Sequence, residues 1–244
     1  MALRPCSGSM TLLTSDPKIL ILAFFGGIIP SLVWLWFWLK EDEENPEPAG
    51  LLAIVFIMGM AAVMIVLPIQ KFIQTHIGLN ETKLVLWASV EEIIKYCAVL
   101  VILFRTKNAN EPIDWPIYLI TAALGFAALE NTLFLIKPLS VSGATVSLLT
   151  GQLRFLGSTL LHTISSGTIG IAIGLSFFMG EFKKRWFLLA GFLVAIALHS
   201  AFNFFIIRNE GSDFLRVFAF LWVVTIIVIL LFEKIRRMSE KIIS

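Results

Sequence analysis

Long apolar runs dominate this chain, and polar positions punctuate them. Approximately Ile19–Leu39, Leu51–Ile69, Leu84–Phe104, Pro116–Ile136, Leu153–Met179, Trp186–Ile207 and Phe214–Phe232 are built largely from Leu, Ile, Val, Ala and Phe. Each run is close to the roughly 20 residues that carry a helix across a hydrocarbon core. Strands of a membrane barrel would alternate apolar and polar residues over about ten positions. These runs do not alternate. The pattern predicts an all-α polytopic transmembrane helix bundle of about seven membrane-spanning helices. It forms a single integral membrane domain over residues 1–244.

The connections are short. Glu41–Pro48 is an acidic, proline-broken turn, Lys107–Trp115 contains Pro112 and Asp114, and Lys183-Lys184-Arg185 is a basic turn. The polar stretch Pro138–Thr150 predicts a short interfacial helix before the fifth span. Trp34, Trp36, Trp38, Trp87, Trp115 and Trp186 mostly fall near span ends, as aromatic-belt residues do.

Composition agrees. The chain is 58% hydrophobic and 15% charged, with a mean hydropathy of +0.89. A soluble domain carries about a quarter charged residues. The net charge of +2 is scattered over several loops, so no nucleic-acid partner is expected. The lipid bilayer is the expected surrounding. Cys97 lies inside an apolar run and reads as a packing residue, and Cys6 lies near the N-terminus. The first 18 residues hold no apolar core of a cleavable signal.

Lysines and arginines near span ends set the expected orientation. One side collects Lys40, Arg105, Lys107, Lys183, Lys184, Arg185, Lys234, Arg236, Arg237 and Lys241. The other collects Arg4, Lys18, Lys71, Lys83, Lys137 and Arg208. The denser set predicts a cytoplasmic C-terminus and an outer N-terminus.

Ionisable groups within these spans change the picture, because each costs several kcal/mol in lipid unless it meets a partner or water. Glu91, Glu92 and Lys95 lie in the third span, Glu130 in the fourth, His162 in the fifth and His199 in the sixth. The spans alternate in direction. Counted from the face where the third begins, Glu91, Glu130, His162 and His199 all fall roughly 9–14 Å deep. The positive-inside reading makes that face the outer one.

Helical spacing places His199 and Asn203 on one face, as it does Phe126 and Glu130. Glu91 and Lys95, also four apart, can pair as ions. Glu91 and Glu92 point about 100° apart, so one of them aims at the centre. Taken singly, each residue has a structural use. A lone His, Asn131 or Ser166 can serve as an interhelical hydrogen-bonding group. Taken together, two or more carboxylates and two imidazoles at one depth make a polar chamber.

Such a chamber can deprotonate a water through Glu and His. An Asn amide and an imidazolium can stabilise the oxyanion formed at a peptide carbonyl. Imidazole and carboxylate also suit a divalent metal such as zinc, for which Glu92, Glu130, His162 and His199 are the candidate ligands. An ion- or proton-coupled transporter or channel is the alternative use of the same cluster. The crowding of the groups on one side of the bilayer weighs against it, as does the lack of an internal repeat. There is no His-Glu-x-x-His and no Gly-x-Ser-x-Gly. Asp16, Asp42, Asp114 and Asp213 all fall outside the spans, which excludes an intramembrane aspartyl dyad.

The ordered set Glu91-Glu92-x-x-Lys95, Phe126-x-x-x-Glu130, His162 followed by small residues, and His199-x-x-x-Asn203 resembles the motifs of the PrsW family of membrane proteases. That family is similar to the CAAX-processing and bacteriocin-processing membrane proteases. The wider group carries Glu-Glu-x-x-x-Arg, whereas here Tyr96 holds the arginine position and Lys95 precedes it. The resemblance covers about residues 19–207. It implies an intramembrane endopeptidase of a bacterial plasma membrane, acting on membrane-anchored substrates such as an anti-sigma factor. It implies that Glu91 or Glu92, with Glu130 or His162, activates water, and that His199 and Asn203 orient the carbonyl or stabilise its oxyanion.

Overall fold

The computed structural model describes residues 16–40, 46–106, 108–208 and 214–243, and side chains in these ranges except at 141–156, 206–208, 214–216 and 240–243. Seven α-helices follow in order: α1 Pro17–Lys40, α2 Ala49–His76, α3 Asn80–Thr106, α4 Asp114–Arg154, α5 Leu160–Leu175, α6 Glu181–Arg208 and α7 Phe214–Ile243. A five-residue π-helical turn, Phe155–Thr159, leads into α5. No strand occurs among the described residues. The expected all-α polytopic bundle is what the chain forms.

Among the described residues six helices are long and apolar enough to cross a membrane, including Asp114–Ser140 of α4 and Gly157–Leu175 of the π turn and α5. The exception is α3. Its 27 residues suffice in length, at about 1.5 Å per residue. Its middle, however, carries Glu91, Glu92 and Lys95, and all three are buried. The charges that lower its hydropathy are turned away from lipid.

Burial ranks the helices by position. The spans in α4 and α5 are 78% buried, against 17% for α1 and 22% for α6. The two central helices therefore form the axis, and α1, α2, α6 and α7 surround it. The distribution inverts that of a soluble protein. Phe24, Phe25, Ile57, Met64, Phe72, Leu193 and Leu230 lie exposed, while Glu92, Lys95, Ser165 and Ser166 are fully buried. This is the arrangement that a hydrocarbon solvent selects. Cys97 is exposed as well, which corrects its reading as a packing residue.

Close crossings set the spacing of the axis. A Cβ on Gly59 of α2 would stand 2.0 Å from the Ala122 carbonyl oxygen, and one on Gly125 of α4 would stand 2.0 Å from that of Phe56. Each glycine thus accepts the other helix's backbone, as small residues do at membrane helix crossings. α4 and α5 run antiparallel. Pro116 backs onto Gly170, Ile120 onto Gly167, and Asn131 bonds Thr159. The chain reverses between Asn131 and Thr159. The stretch after Pro138 is helical through Arg154, and because Asn131 bonds Thr159 that helical path turns back on itself before α5.

Candidate active site

Four helices each bring polar groups to one buried chamber. α3 supplies Glu91, Glu92 and Lys95, α4 supplies Glu130, α5 supplies His162 and Ser166, and α6 supplies His199. Glu91, Glu92, Lys95, His162, Ser166 and His199 are all buried, whereas the Glu130 side chain is 30% exposed. Glu130 therefore marks the side of the chamber nearest the surroundings. The half-buried Ser158 hydroxyl, next to the π turn's last residue, donates to Glu130 Oε2 (3.3 Å). π turns often occur where a helix must aim a side chain at a site.

Glu92 is the hub. Its Oε1 accepts from Lys95 Nζ (2.6 Å) and His199 Nδ1 (2.9 Å), and its Oε2 accepts from the Ser166 hydroxyl (2.6 Å). Three donors from three helices thus satisfy both oxygens. Lys95 pairs here and not with Glu91, although both spacings allow a helical ion pair. The ammonium also donates to His162 Nδ1 (3.2 Å) and lies over the Phe126 ring, 5.0 Å from its centroid.

These contacts place a proton on each imidazole. An ammonium can only donate, so His162 Nδ1 accepts and its proton sits on Nε2, which donates to Glu130 Oε2 (3.0 Å). An ionised carboxylate can only accept, so His199 carries its proton on Nδ1, facing Glu92. His199 Nε2 is left pointing inward, 3.5 Å from Glu91 Oε2. The two rings meet edge to face at 5.0 Å.

Glu91 differs from its neighbour. Its Oε1 accepts from the Gln70 amide of α2 (2.7 Å). Its Oε2 is buried without a hydrogen-bond partner, 3.5 Å from His199 Nε2 and 3.8 Å from His162 Nδ1. Acceptors from three helices therefore converge on one point. A buried carboxylate oxygen without a donor is costly, and such atoms mark ligand or reaction sites.

A family model described as PrsW family intramembrane metalloprotease matches residues 47–231. The chain belongs to the PrsW family. Proteins named Protease PrsW from several bacteria resemble it along most of their length. The one from Geobacillus kaustophilus is 25% identical over 190 residues, covering 75% of this chain and 79% of its own. The one from Clostridioides difficile is 28% identical over 189 residues, covering 74% and 77%. The Bacillus subtilis protein is 24% identical over 201 residues, covering 80% and 88%. No solved structure matches. The PrsW assignment makes this chain a membrane-embedded peptidase and does not favour the transport alternative.

The structure gathers Glu91, Glu92, Glu130, His162 and His199 into contact. Asn203 sits half-buried one turn past His199, outside that hydrogen-bonded cluster. Asn131 holds Thr159 (3.0 Å), a helix–helix bond as its sequence context suggests. Ser166, read as such a bond as well, is a donor to Glu92. Gln70 carries no signal in the sequence, since it falls one residue beyond the expected second span and reads as interfacial.

The family description raises a metal, and the donor chemistry fits one. One ligand atom each from Glu91, His162 and His199 lies within 4.8 Å of the others. Two imidazoles and one carboxylate are a donor set of catalytic zinc, which keeps a further position open. Each imidazole is backed by a carboxylate, Glu130 behind His162 and Glu92 behind His199, as metal-binding histidines usually are. Lys95 occupies the inward nitrogen of His162 and would have to release it.

Proposed function

We propose that this PrsW-family protein cuts membrane-anchored proteins, anti-sigma-factor-like single-span proteins among them, using Glu91 as the carboxylate that activates water. The observation that carries this reading is the unpartnered Glu91 Oε2 facing His199 Nε2. A water between these acceptors donates one proton to each. Glu91 draws off its proton as the oxygen attacks the scissile carbonyl. Glu92, with all its donors in place, keeps His199 in the required tautomer and does not hold the water. His162, backed by Glu130, closes the second side. Asn203, half-buried beyond His199, meets the carbonyl oxygen and supports its developing charge.

Glu91, His162 and His199 would hold a divalent ion, which when bound supplies Lewis-acid polarisation. In cleavage by purified protein, a zinc chelator is expected to remove most activity and added zinc to restore it. Undiminished cleavage in chelator would assign the chemistry to the side chains alone.

The test of the whole reading is cleavage of a single-span anti-sigma-factor-like reporter reconstituted with full-length protein in liposomes. Glu91→Gln is expected to stop it while leaving the protein folded, and retained cleavage sinks the assignment.

The same reading sets the orientation, with the C-terminus in the cytoplasm and the chamber near the outer face. Trp38 at the end of α1 packs on Phe232 of α7, and Ser239 of α7 binds the turn before α4, so Lys40 and the α7 cations Lys234, Arg236 and Arg237 share one end of the bundle. That clustering supports the positive-inside assignment. A phosphatase fused after residue 244 is expected to be inactive and a cytoplasmic reporter active. The reverse result would invert the topology.

A further inference from the structure

A carboxylate with one free oxygen works only if the other oxygen is held. We infer that Gln70 of α2 is a positioning residue for the reaction, fixing the Glu91 carboxylate so that Oε2 faces the two imidazoles. This rests on the assignment of Glu91 proposed above.

Gln70 Nε2 donates to Glu91 Oε1 at 2.7 Å, and among the described residues no other hydrogen bond reaches that carboxylate. Without the amide, the Glu91 side chain could rotate about its terminal torsion, which has broad, roughly two-fold preferences. Either oxygen, or neither, would then face His199. The amide is itself anchored. The Trp87 indole N–H of α3 donates to the Gln70 backbone carbonyl at 3.3 Å, tying α2 to the helix that carries Glu91. Trp87 stands four residues before Glu91, on the same face of α3. The unit Trp87–Gln70–Glu91 thus closes on itself across two helices. Each imidazole has a carboxylate behind it, and Glu91 has an amide.

The polarity of the partner is informative. A lysine or arginine would neutralise Glu91 and compete with the water or ion for its second oxygen. An amide donates one neutral hydrogen bond and leaves the carboxylate's charge for the site.

The experiment compares wild type, Gln70→Leu, Gln70→Glu and Glu91→Gln as full-length proteins in liposomes with the reporter used above. Thermal unfolding is followed in parallel. Gln70→Leu is expected to lower kcat about 10- to 100-fold, the usual scale for loss of an orienting partner, with KM unchanged. Gln70→Glu, which offers an acceptor in place of the donor, should fall at least as far. Zinc affinity, read by competition with a chromophoric chelator, is expected to weaken by a similar factor in Gln70→Leu. A folded Gln70→Leu protein with wild-type kcat overturns the inference, whatever its zinc affinity. Reduced kcat with unchanged zinc affinity supports positioning of the reacting carboxylate itself. An active Glu91→Gln protein would overturn the function assignment and this inference together. An inactive Glu91→Gln beside a fully active Gln70→Leu removes only the role of Gln70.

Discussion

Buried carboxylates gather at both ends of this bundle, and the two groups differ in one respect. Near the start of α4, Asp114 Oδ2 accepts from the backbone N–H groups of Asn110 (2.8 Å) and Glu111 (2.7 Å). The Tyr118 hydroxyl donates to Glu47, near the end of the acidic turn, and the N–H of Ile113 donates to Ser239 Oγ of α7 (3.3 Å). These bonds tie two loops and the end of α7 to the central helix. At the other cluster, about 24 Å along α4 by helical rise from Asp114 to Glu130, Glu92 is held just as fully. Glu91 is not, and its free oxygen faces His199 Nε2 at 3.5 Å. Burial of charge is common to both ends and so does not identify a site here. A carboxylate oxygen left without a donor does.

The sharpest break between the two ends is expected at Glu91. In Glu91→Gln, the amide oxygen can still accept from Gln70 while its nitrogen faces the His199 lone pair as a donor. The orphaned atom becomes satisfied, so the thermal midpoint should hold or rise. Cleavage should fall by about 10²- to 10⁴-fold, the range for loss of a general base. A drop in the midpoint alongside lost cleavage would show that the free oxygen had been stabilising, which contradicts the comparison.

Lys95 tests the opposite case, a group in the chamber whose work is cohesion. It is fully buried and binds Glu92, His162 and the face of Phe126. Lys95→Met keeps the volume but leaves Glu92 and His162 each short of a donor. Removing one partner of a buried ion pair costs about 3–5 kcal/mol. Unfolding of the detergent-solubilised protein should report that loss, with activity falling as His162 loses its tautomer. Wild-type stability would mean that another donor takes over.

How much of this could be read from the chain alone depended on the physics of each feature. Span length and composition announce a membrane helix directly, so α1, α2, α6 and α7 stood out as apolar runs. The chamber residues were visible for the complementary reason, that lipid makes Glu92 or His199 conspicuous. α3 was legible as the apolar run Leu84–Phe104 even though its charges dilute its hydropathy. The end of the fourth span near Pro138 was legible from the proline and the polar stretch, but the sharp return of the helical path that brings Thr159 to Asn131 was not. Within the chamber, one turn of helix allows Lys95 to reach either Glu91 or Glu92, so spacing could not choose between them. The choice is made by His199 and Ser166, which come from helices more than 70 residues away in sequence and converge on Glu92. Gln70 was silent because glutamine near a span end is ordinary.

The smallest effect on catalysis is expected at the far end of α4. Asp114→Ala removes an oxygen that accepts two backbone N–H groups in a largely buried turn. Leaving such donors unmet costs about 1–3 kcal/mol, so the unfolding midpoint should fall measurably. The chamber lies about 24 Å away along a helix whose packing against α2 and α5 is backbone-close at Gly125 and at Pro116. The turn can therefore loosen without shifting Glu130 or His162. Cleavage of the reporter, measured well below the new midpoint, should stay within about two-fold of wild type, a change in rate worth less than 0.5 kcal/mol. A loss of cleavage as large as that of Glu91→Gln would mean that the two ends are coupled, and that donor satisfaction at one end does not suffice to separate structure from chemistry.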